Sequence, residues 1–308
     1  MLCAIIDVGS NTMRLTLYYY EQTRFQPLLH KKATAGLMGY VENGRLSEEG
    51  LQKAVDVLAE YRHILDNFGV EEVHVFATAI VRNIDNSAEV LDALRLRSGF
   101  DIELLSGERE AQLDFLGATH FFDAQEGLVA DIGGGSTQLV VFRKGQILDS
   151  DSLPIGSLNT YSRRVEGLFP TERERKDIVD RMEEALADTP LRKQAKGLTI
   201  CGVGGSIRAC LRLSRELFEP HHPEPVLTPS DLNRLLAFVR EKEPKKLVKT
   251  LSKILPDRIH TLTPGLLLLW TIVREWDCPL VMVSDFGVRE GYLIDKLQRM
   301  QAEQEAVQ

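Results

Sequence analysis

Asp7 and Asp131 each close an apolar run and open a glycine-rich polar turn, Asp7-Val-Gly-Ser-Asn-Thr12 and Asp131-Ile-Gly-Gly-Gly-Ser-Thr137. Glycines lack a Cβ, so such a chain turns tightly and aims successive backbone N–H groups at one anion. Hydroxyls at Ser10, Thr12, Ser136 and Thr137 add donors. A carboxylate ahead of each turn can hold a hydrated divalent cation that bridges phosphate oxygens. A third glycine-rich turn, Gly202-Val-Gly-Gly-Ser206, also follows an apolar run. One such turn would be an ordinary tight connection. Three together, two of them with a matched aspartate, point to polyanion binding. The pattern is not a P-loop, because no Gly-x4-Gly-Lys-Ser/Thr occurs. Nor is it a dinucleotide fingerprint, since no turn gives Gly-x-Gly-x-x-Gly with a following acidic partner.

The elements that must carry these turns repeat. Residues 5–18 read IIDVGSNTMRLTLY and residues 129–142 read VADIGGGSTQLVVF, so that Asp7 falls on Asp131, Gly9 on Gly133, Thr12 on Ser136 and Leu15 on Leu139. Each copy is a strand, a polar turn and a second strand, followed by a third strand near residues 25–29 and 145–148. The remainder alternates strand and helix. Helical spacing covers residues 47–68, 88–96, 107–117, 171–187, 206–213, 230–242, 245–254, 264–276 and 287–301. Short apolar strands fall at 73–77, 102–105, 198–203 and 280–284. Residues 219–229, with four prolines, read as a loop, and 301–308 as a frayed tail. Such alternation indicates α/β layers.

A length of 308 residues makes two domains the default expectation. The net charge of −8 argues against generic nucleic-acid or membrane binding, so a polyanion site must be locally positive. Clusters at Arg163-Arg164, 173–176, Arg192-Lys193 and Lys245-Lys246 read first as solvated surface and, functionally, as a basic track for a long polyanion. Cys3, Cys201, Cys210 and Cys278 have no metal-ligand spacing and read as buried reduced thiols, which suits the cytoplasm. His221 and His222 lie in the proline-rich loop without partner ligands. No signal peptide or membrane span is visible.

The motifs now resemble a family. The paired turns and Gly202-Val-Gly-Gly-Ser206 resemble the actin-like ATPase superfamily, and within it the exopolyphosphatase and guanosine pentaphosphate phosphohydrolase (Ppx/GppA) family in its short two-domain form. The match adds Ala77-Thr-Ala-Ile-Val-Arg82, Ser106-Gly-Glu-Arg-Glu-Ala111, Leu153-Pro-Ile-Gly156 and Arg289-Glu-Gly291. The resemblance implies an α/β fold of two duplicated ribonuclease-H-like domains, residues 1–124 and 125–308, with an interdomain active-site cleft. It implies that the final helix packs back on the first domain. Water would attack terminal phosphoanhydride bonds of inorganic polyphosphate, short chains favoured, or convert guanosine pentaphosphate to tetraphosphate. Glu110 would be the catalytic base. Gly9, Ser10, Asn11, Thr12, Arg14, Arg82, Gly133, Gly134, Gly135, Ser136, Thr137, Gly204, Gly205 and Ser206 would bind phosphate, and Asp7 and Asp131 would hold Mg2+, with Mn2+ or a monovalent cation also admitted. A homodimer is in keeping with the family. Two positions depart from its pattern: Arg109 stands where Glu is usual, and Gln138 replaces the Glu after the second turn. Gln138 could position water or ligand but cannot be an anionic ligand. Two alternatives stay open: an ATP-using kinase of the superfamily, and a sensor that binds guanosine polyphosphates with little catalysis.

Overall fold

The computed structural model describes residues 1–22, 24–120, 125–218 and 222–306, with side chains to 303. The chain divides into two compact units, residues 1–113 with 289–308, and residues 114–288. Both are built on a mixed sheet flanked by helices, so the α/β expectation holds.

In the first unit, β1 (Leu2–Val8), β2 (Met13–Glu21) and β3 (Arg24–Ala33) form an antiparallel meander. After the small hairpin β4 (Val41–Glu42) and β5 (Arg45–Leu46) comes α1 (Glu48–Phe68). Its N-terminus is capped by the Ser47 hydroxyl, which accepts from Gly50 N–H. Then follow β6 (Val73–Ala77), the single turn α2 (Ala79–Arg82), α3 (Ser87–Ser98), β7 (Ile102–Leu104) and α4 (Gly107–Thr119). The sheet order is β3-β2-β1-β6-β7, with β1, β6 and β7 parallel. Strand alternation sends Ala4, Ile6, Val8, Val75 and Ala77 into a core with α1 and α3. The opposite face carries Cys3, Asp7, Thr16, Tyr18, His74 and Phe76. There the last helix of the chain, α11 (Val288–Ala306), lies across it: Phe76 stacks on Tyr292 and Tyr18 bonds to Glu290.

The second unit opens with the repeated meander β8 (Glu126–Ile132), β9 (Thr137–Arg143) and β10 (Gln146–Leu153). It continues through α5 (Ser157–Arg164), α6 (Glu172–Asp188), β11 (Ile200–Val203), α7 (Gly204–Leu217), β12 (Val226–Leu227), α8 (Pro229–Glu241), α9 (Pro244–Ile254), α10 (Leu262–Glu275) and β13 (Val281–Val283). The sheet order is β10-β9-β8-β11-β13-β12. The apolar run around 262–273 forms α10, buried almost all round and packed on α6, α7 and α8.

Four details differ from the sequence reading. The proline-rich segment contributes an edge strand, β12, pairing antiparallel with β13; residues 219–221 lie outside the described residues. The tail is helical to Ala306, because Gln, Ala and Glu are good helix formers and Arg299 pairs with Asp295 one turn back. The third glycine segment is a strand-to-helix junction in which Gly204 already begins α7. Helix α5 had no apolar periodicity to betray it. All four cysteines are buried free thiols. Among the described residues no helix is long and apolar enough to cross a membrane.

Candidate active site

In the first unit the functional side chains collect at the C-terminal ends of neighbouring parallel strands, where α/β sheets present ligands. Asp7 ends β1, the chain leaving β6 enters α2 and Arg82, and the chain leaving β7 enters α4 and Glu110. Thr78 N–H donates to Val8 O and Leu105 N–H to Ala77 O, so the three ends are stitched side by side.

The turn after Asp7 is shaped by where its carbonyls go. Ser10 O accepts from Met38 N–H at 3.0 Å and Asn11 O from Gly36 N–H at 2.9 Å. Among the described residues nothing accepts from the N–H of Ser10, Asn11 or Thr12, and the buried Asn11 Nδ2 also has no hydrogen-bond partner. A turn with its oxygens tied back and its donors unmet suits an anion. A Cβ on Gly9 would lie 2.9 Å from Thr12 O, so the turn needs glycine there.

Asp7 pairs in register with Arg14, whose Nη1 is 4.0 Å from Asp7 Oδ2. Burial pushes the Asp7 carboxyl above the usual carboxylate range; Arg14 and Arg289 pull it down, and Glu290 pushes it up. Arg289 bonds Thr16 Oγ1 at 2.6 Å, and Tyr18 donates to Glu290 at 2.5 Å. Arg289 and Glu290, which the sequence shows only as part of the Arg289-Glu-Gly291 motif, therefore belong to the surroundings of Asp7. A Cβ on Gly291 would lie 1.8 Å from Leu113 O, so this glycine lets α11 cross α4, the helix that carries Glu110.

Glu110 is buried in the first turn of α4. Arg82 Nη1 donates to Glu110 Oε2 at 2.8 Å and to Leu105 O at 2.9 Å. The guanidinium assigned to phosphate is thus engaged with the carboxylate assigned as base. Arg109, the first departure from the family pattern, is ion-paired with Asp295 of α11 and stays out of this arrangement.

The second turn is built on the same plan with a different anchor. Ser157 N–H donates to Gly133 O, Leu158 and Asn159 N–H donate to Gly134 O, each at 2.9 Å, and Asn159 Nδ2 donates to Gly135 O at 2.7 Å. The start of α5 takes up the carbonyls, and nothing described accepts from the N–H of Gly134, Gly135 or Ser136. This explains the Leu153-Pro-Ile-Gly156 motif. A Cβ on Gly156 would lie 2.6 Å from the carbonyl of Gly134 and from Ser136 N.

Gln138 stands opposite Asp131 across the hairpin, as Arg14 stands opposite Asp7. It is fully buried, and its Nε2 donates to Ser136 Oγ at 2.8 Å and Ser152 Oγ at 3.2 Å. Its amide orients the Ser136 hydroxyl. Thr137 Oγ1 donates to Ile155 O, so that hydroxyl's proton serves the fold.

Gly204 has φ +89, and a Cβ there would lie 2.0 Å from Asp131 Oδ1. The missing side chain makes room for the carboxylate at the start of α7. Ser206 Oγ donates to Ser157 Oγ at 3.1 Å. Arg258 lies against Gly205, where a Cβ would meet its Nη2 at 2.0 Å. No spacing in the sequence singles out this arginine.

As to metals, Asp7 and Asp131 offer hard carboxylate oxygens. Among the described residues neither belongs to a cluster of three or more His, Cys, Asp or Glu ligands; the cluster of that kind is Cys3, Glu72 and His74. One carboxylate completed by water and substrate phosphate suits Mg2+, which keeps much of its hydration, better than a cation needing a full protein cage. His222 is exposed, and His221 lies outside the described residues. In three of the basic clusters one member is ion-paired: Arg164 with Asp177, Lys176 with Asp180 and Lys246 with Glu243.

The pattern of the Ppx/GppA phosphatase family matches residues 18–300. The chain belongs to this family. Exopolyphosphatase 1 of Mycobacterium tuberculosis is 26% identical over 305 residues, covering 96% of this chain and 88% of that one. A putative exopolyphosphatase of Haemophilus influenzae is 26% identical over 299 residues, covering 94% and 90%. The crystal structure of the Aquifex aeolicus Ppx/GppA family member superposes with a TM-score of 0.79 at 28% identity, over 97% of this chain and 98% of that one. A Cytophaga hutchinsonii exopolyphosphatase shares the fold, with a TM-score of 0.85 at 24% identity over 97% and 98%.

Proposed function

We propose that this family member is an exopolyphosphatase, removing terminal phosphates from inorganic polyphosphate with water as nucleophile. The observation that carries the reading is the Arg82–Glu110 pair set beside a turn whose N–H donors are unmet. Phosphoanhydride hydrolysis is chiefly a matter of positioning and charge neutralisation. In the first unit the Gly9–Thr12 turn grips phosphate through its N–H groups; in the second, taken by itself, the Gly133–Ser136 turn offers the same grip, with the Ser136 hydroxyl aimed by Gln138. Arg14 adds positive charge beside the first turn. Arg82 is shared: as it turns towards an incoming phosphate it gives up Glu110, whose carboxylate then accepts the proton of the attacking water. The ion pair thus gives the buried carboxylate a partner until substrate arrives. Asp7 and Asp131 would hold Mg2+, which would neutralise phosphate oxygens when bound.

Curated relatives bearing the name exopolyphosphatase, alignable along nearly the whole chain, support polyphosphate as substrate. The test is phosphate release from short polyphosphate, long polyphosphate and guanosine pentaphosphate side by side, without acceptor, with and without Mg2+. Release from polyphosphate that requires Mg2+ is the expected result, and a ranking of the three substrates sets the preference. Release only with ATP and an acceptor would point to a kinase. Tight guanosine tetraphosphate binding without any release would point to a sensor.

A further inference from the structure

The face of the first sheet covered by α11 carries a second cluster that shares no residue with the turns or with Glu110. Cys3 of β1, Glu72 just ahead of β6 and His74 of β6 bring a thiol sulfur, a carboxylate oxygen and an imidazole nitrogen within 4.8 Å of one another. The pairing of β1 with β6 fixes this: Ile5 lies opposite His74, and Ala4 N–H bonds Glu72 O. Sulfur, imidazole and carboxylate together are the donor set of thiophilic divalent cations.

A cation already occupies the position. Lys296 of α11 puts its Nζ 2.5 Å from Glu72 Oε1 and hydrogen-bonds His74 Nε2. His74 Nε2 also stands 3.3 Å from Glu72 Oε1, and its tautomer decides which of the two it bonds. An ammonium only donates, so in the bond to Lys296 it is Nε2 that accepts, with its lone pair on the point that Lys296 holds. Tyr20 donates to the other Glu72 oxygen at 2.8 Å, an outer bond that orients the carboxylate as second partners orient metal ligands. A cavity of about 250 Å³, bounded by His74, Glu103, Tyr292 and Lys296, opens alongside.

We propose that Cys3, Glu72 and His74 form a site for a thiophilic divalent cation of the Zn2+ class, which takes the place of the Lys296 ammonium. On binding, the Cys3 S–H gives its proton to water and the sulfur–metal bond forms. Lys296 keeps its proton and swings into the cavity. One thiolate, one carboxylate and the dication leave the site neutral, with neutral imidazole as third ligand.

Co2+ is the probe, because a thiolate ligand gives it a near-ultraviolet charge-transfer band. It is titrated into the metal-free full chain. Lys296→Met, which empties the position, binds one equivalent with that band, and Zn2+ displaces it. The wild type shows the same band at about tenfold higher Co2+. Cys3→Ser in the Lys296→Met background loses the band, and His74→Gln weakens binding by about tenfold or more. A folded Lys296→Met chain without the band overturns the proposal, as does a band that survives Cys3→Ser. If Lys296→Met does not fold, the wild type decides: a band up to about 1 mM Co2+ that Cys3→Ser abolishes supports the site, and its absence overturns it.

Discussion

Gly156→Ala isolates the geometry of the second turn from its chemistry. The backbone at Gly156 is extended, with φ −131 and ψ 171, which any residue adopts. Alanine therefore brings no backbone strain, and the whole effect comes from contact. The new methyl would stand 2.6 Å from Gly134 C, Gly134 O and Ser136 N, all backbone atoms, where real Cβ atoms keep beyond 3.0 Å. No flexible side chain can yield. Either the Gly133–Ser136 turn or the start of α5 must move, and the hydrogen bonds of Ser157, Leu158 and Asn159 to Gly133 and Gly134 resist separation. Overpacking of this kind costs about 1–3 kcal/mol. A phosphate grip displaced by close to an ångström costs about 10²-fold in rate. The assay is phosphate release over a range of polyphosphate concentrations, with chemical denaturation alongside. Loss of kcat/KM near that size with a modest loss of stability is expected. Wild-type kcat/KM would refute the claim that α5 sets the turn for binding.

Further outcomes follow from other contacts. Arg82→Met leaves a buried Glu110 without its guanidinium, so kcat/KM falls by about 10²-fold or more and stability by about 1–3 kcal/mol, read by the same assays. Gly204→Ala forces a methyl onto Asp131 Oδ1 at a left-handed backbone position, and raises the Mg2+ concentration for half-maximal phosphate release by about tenfold or more. Gln138→Glu restores a carboxylate opposite Asp131, and lowers that concentration by about tenfold, provided Ser136 and Ser152 turn to donate to it.

Much of the plan was legible because it rests on short-range signals. The repeated Asp-headed turns show as a self-match, and α1 shows through Leu51, Ala54, Leu58, Tyr61 and Leu65 on one stripe with Ser47 as its cap. The position of Glu110 was legible, because residues 107–117 read as a helix and put it in the first turn of α4; its role as base is what the resemblance implies. What escaped depends on long-range contact. Helix α5 is polar and has no stripe; its role is to take up the carbonyls of Gly133 and Gly134, which only the folded chain reveals. Arg289 and Glu290 meet Thr16 and Tyr18 from more than 270 residues away, and no local pattern marks such a pair. Arg82 was assigned to phosphate, and its resting bond to Glu110 has no signature at a spacing of 28 residues. Gln138 was legible as a lost charge; its bond to Ser136 was not, because amide orientation is set by neighbours on β9 and β10.

The most direct measurement is turnover by Glu110→Gln on polyphosphate with Mg2+. The amide oxygen still accepts from Arg82, so the fold and polyphosphate binding persist while phosphate release slows by about 10²–10⁴-fold. Release at the wild-type rate from this variant would contradict the assignment of Glu110 as the group that takes the proton from water.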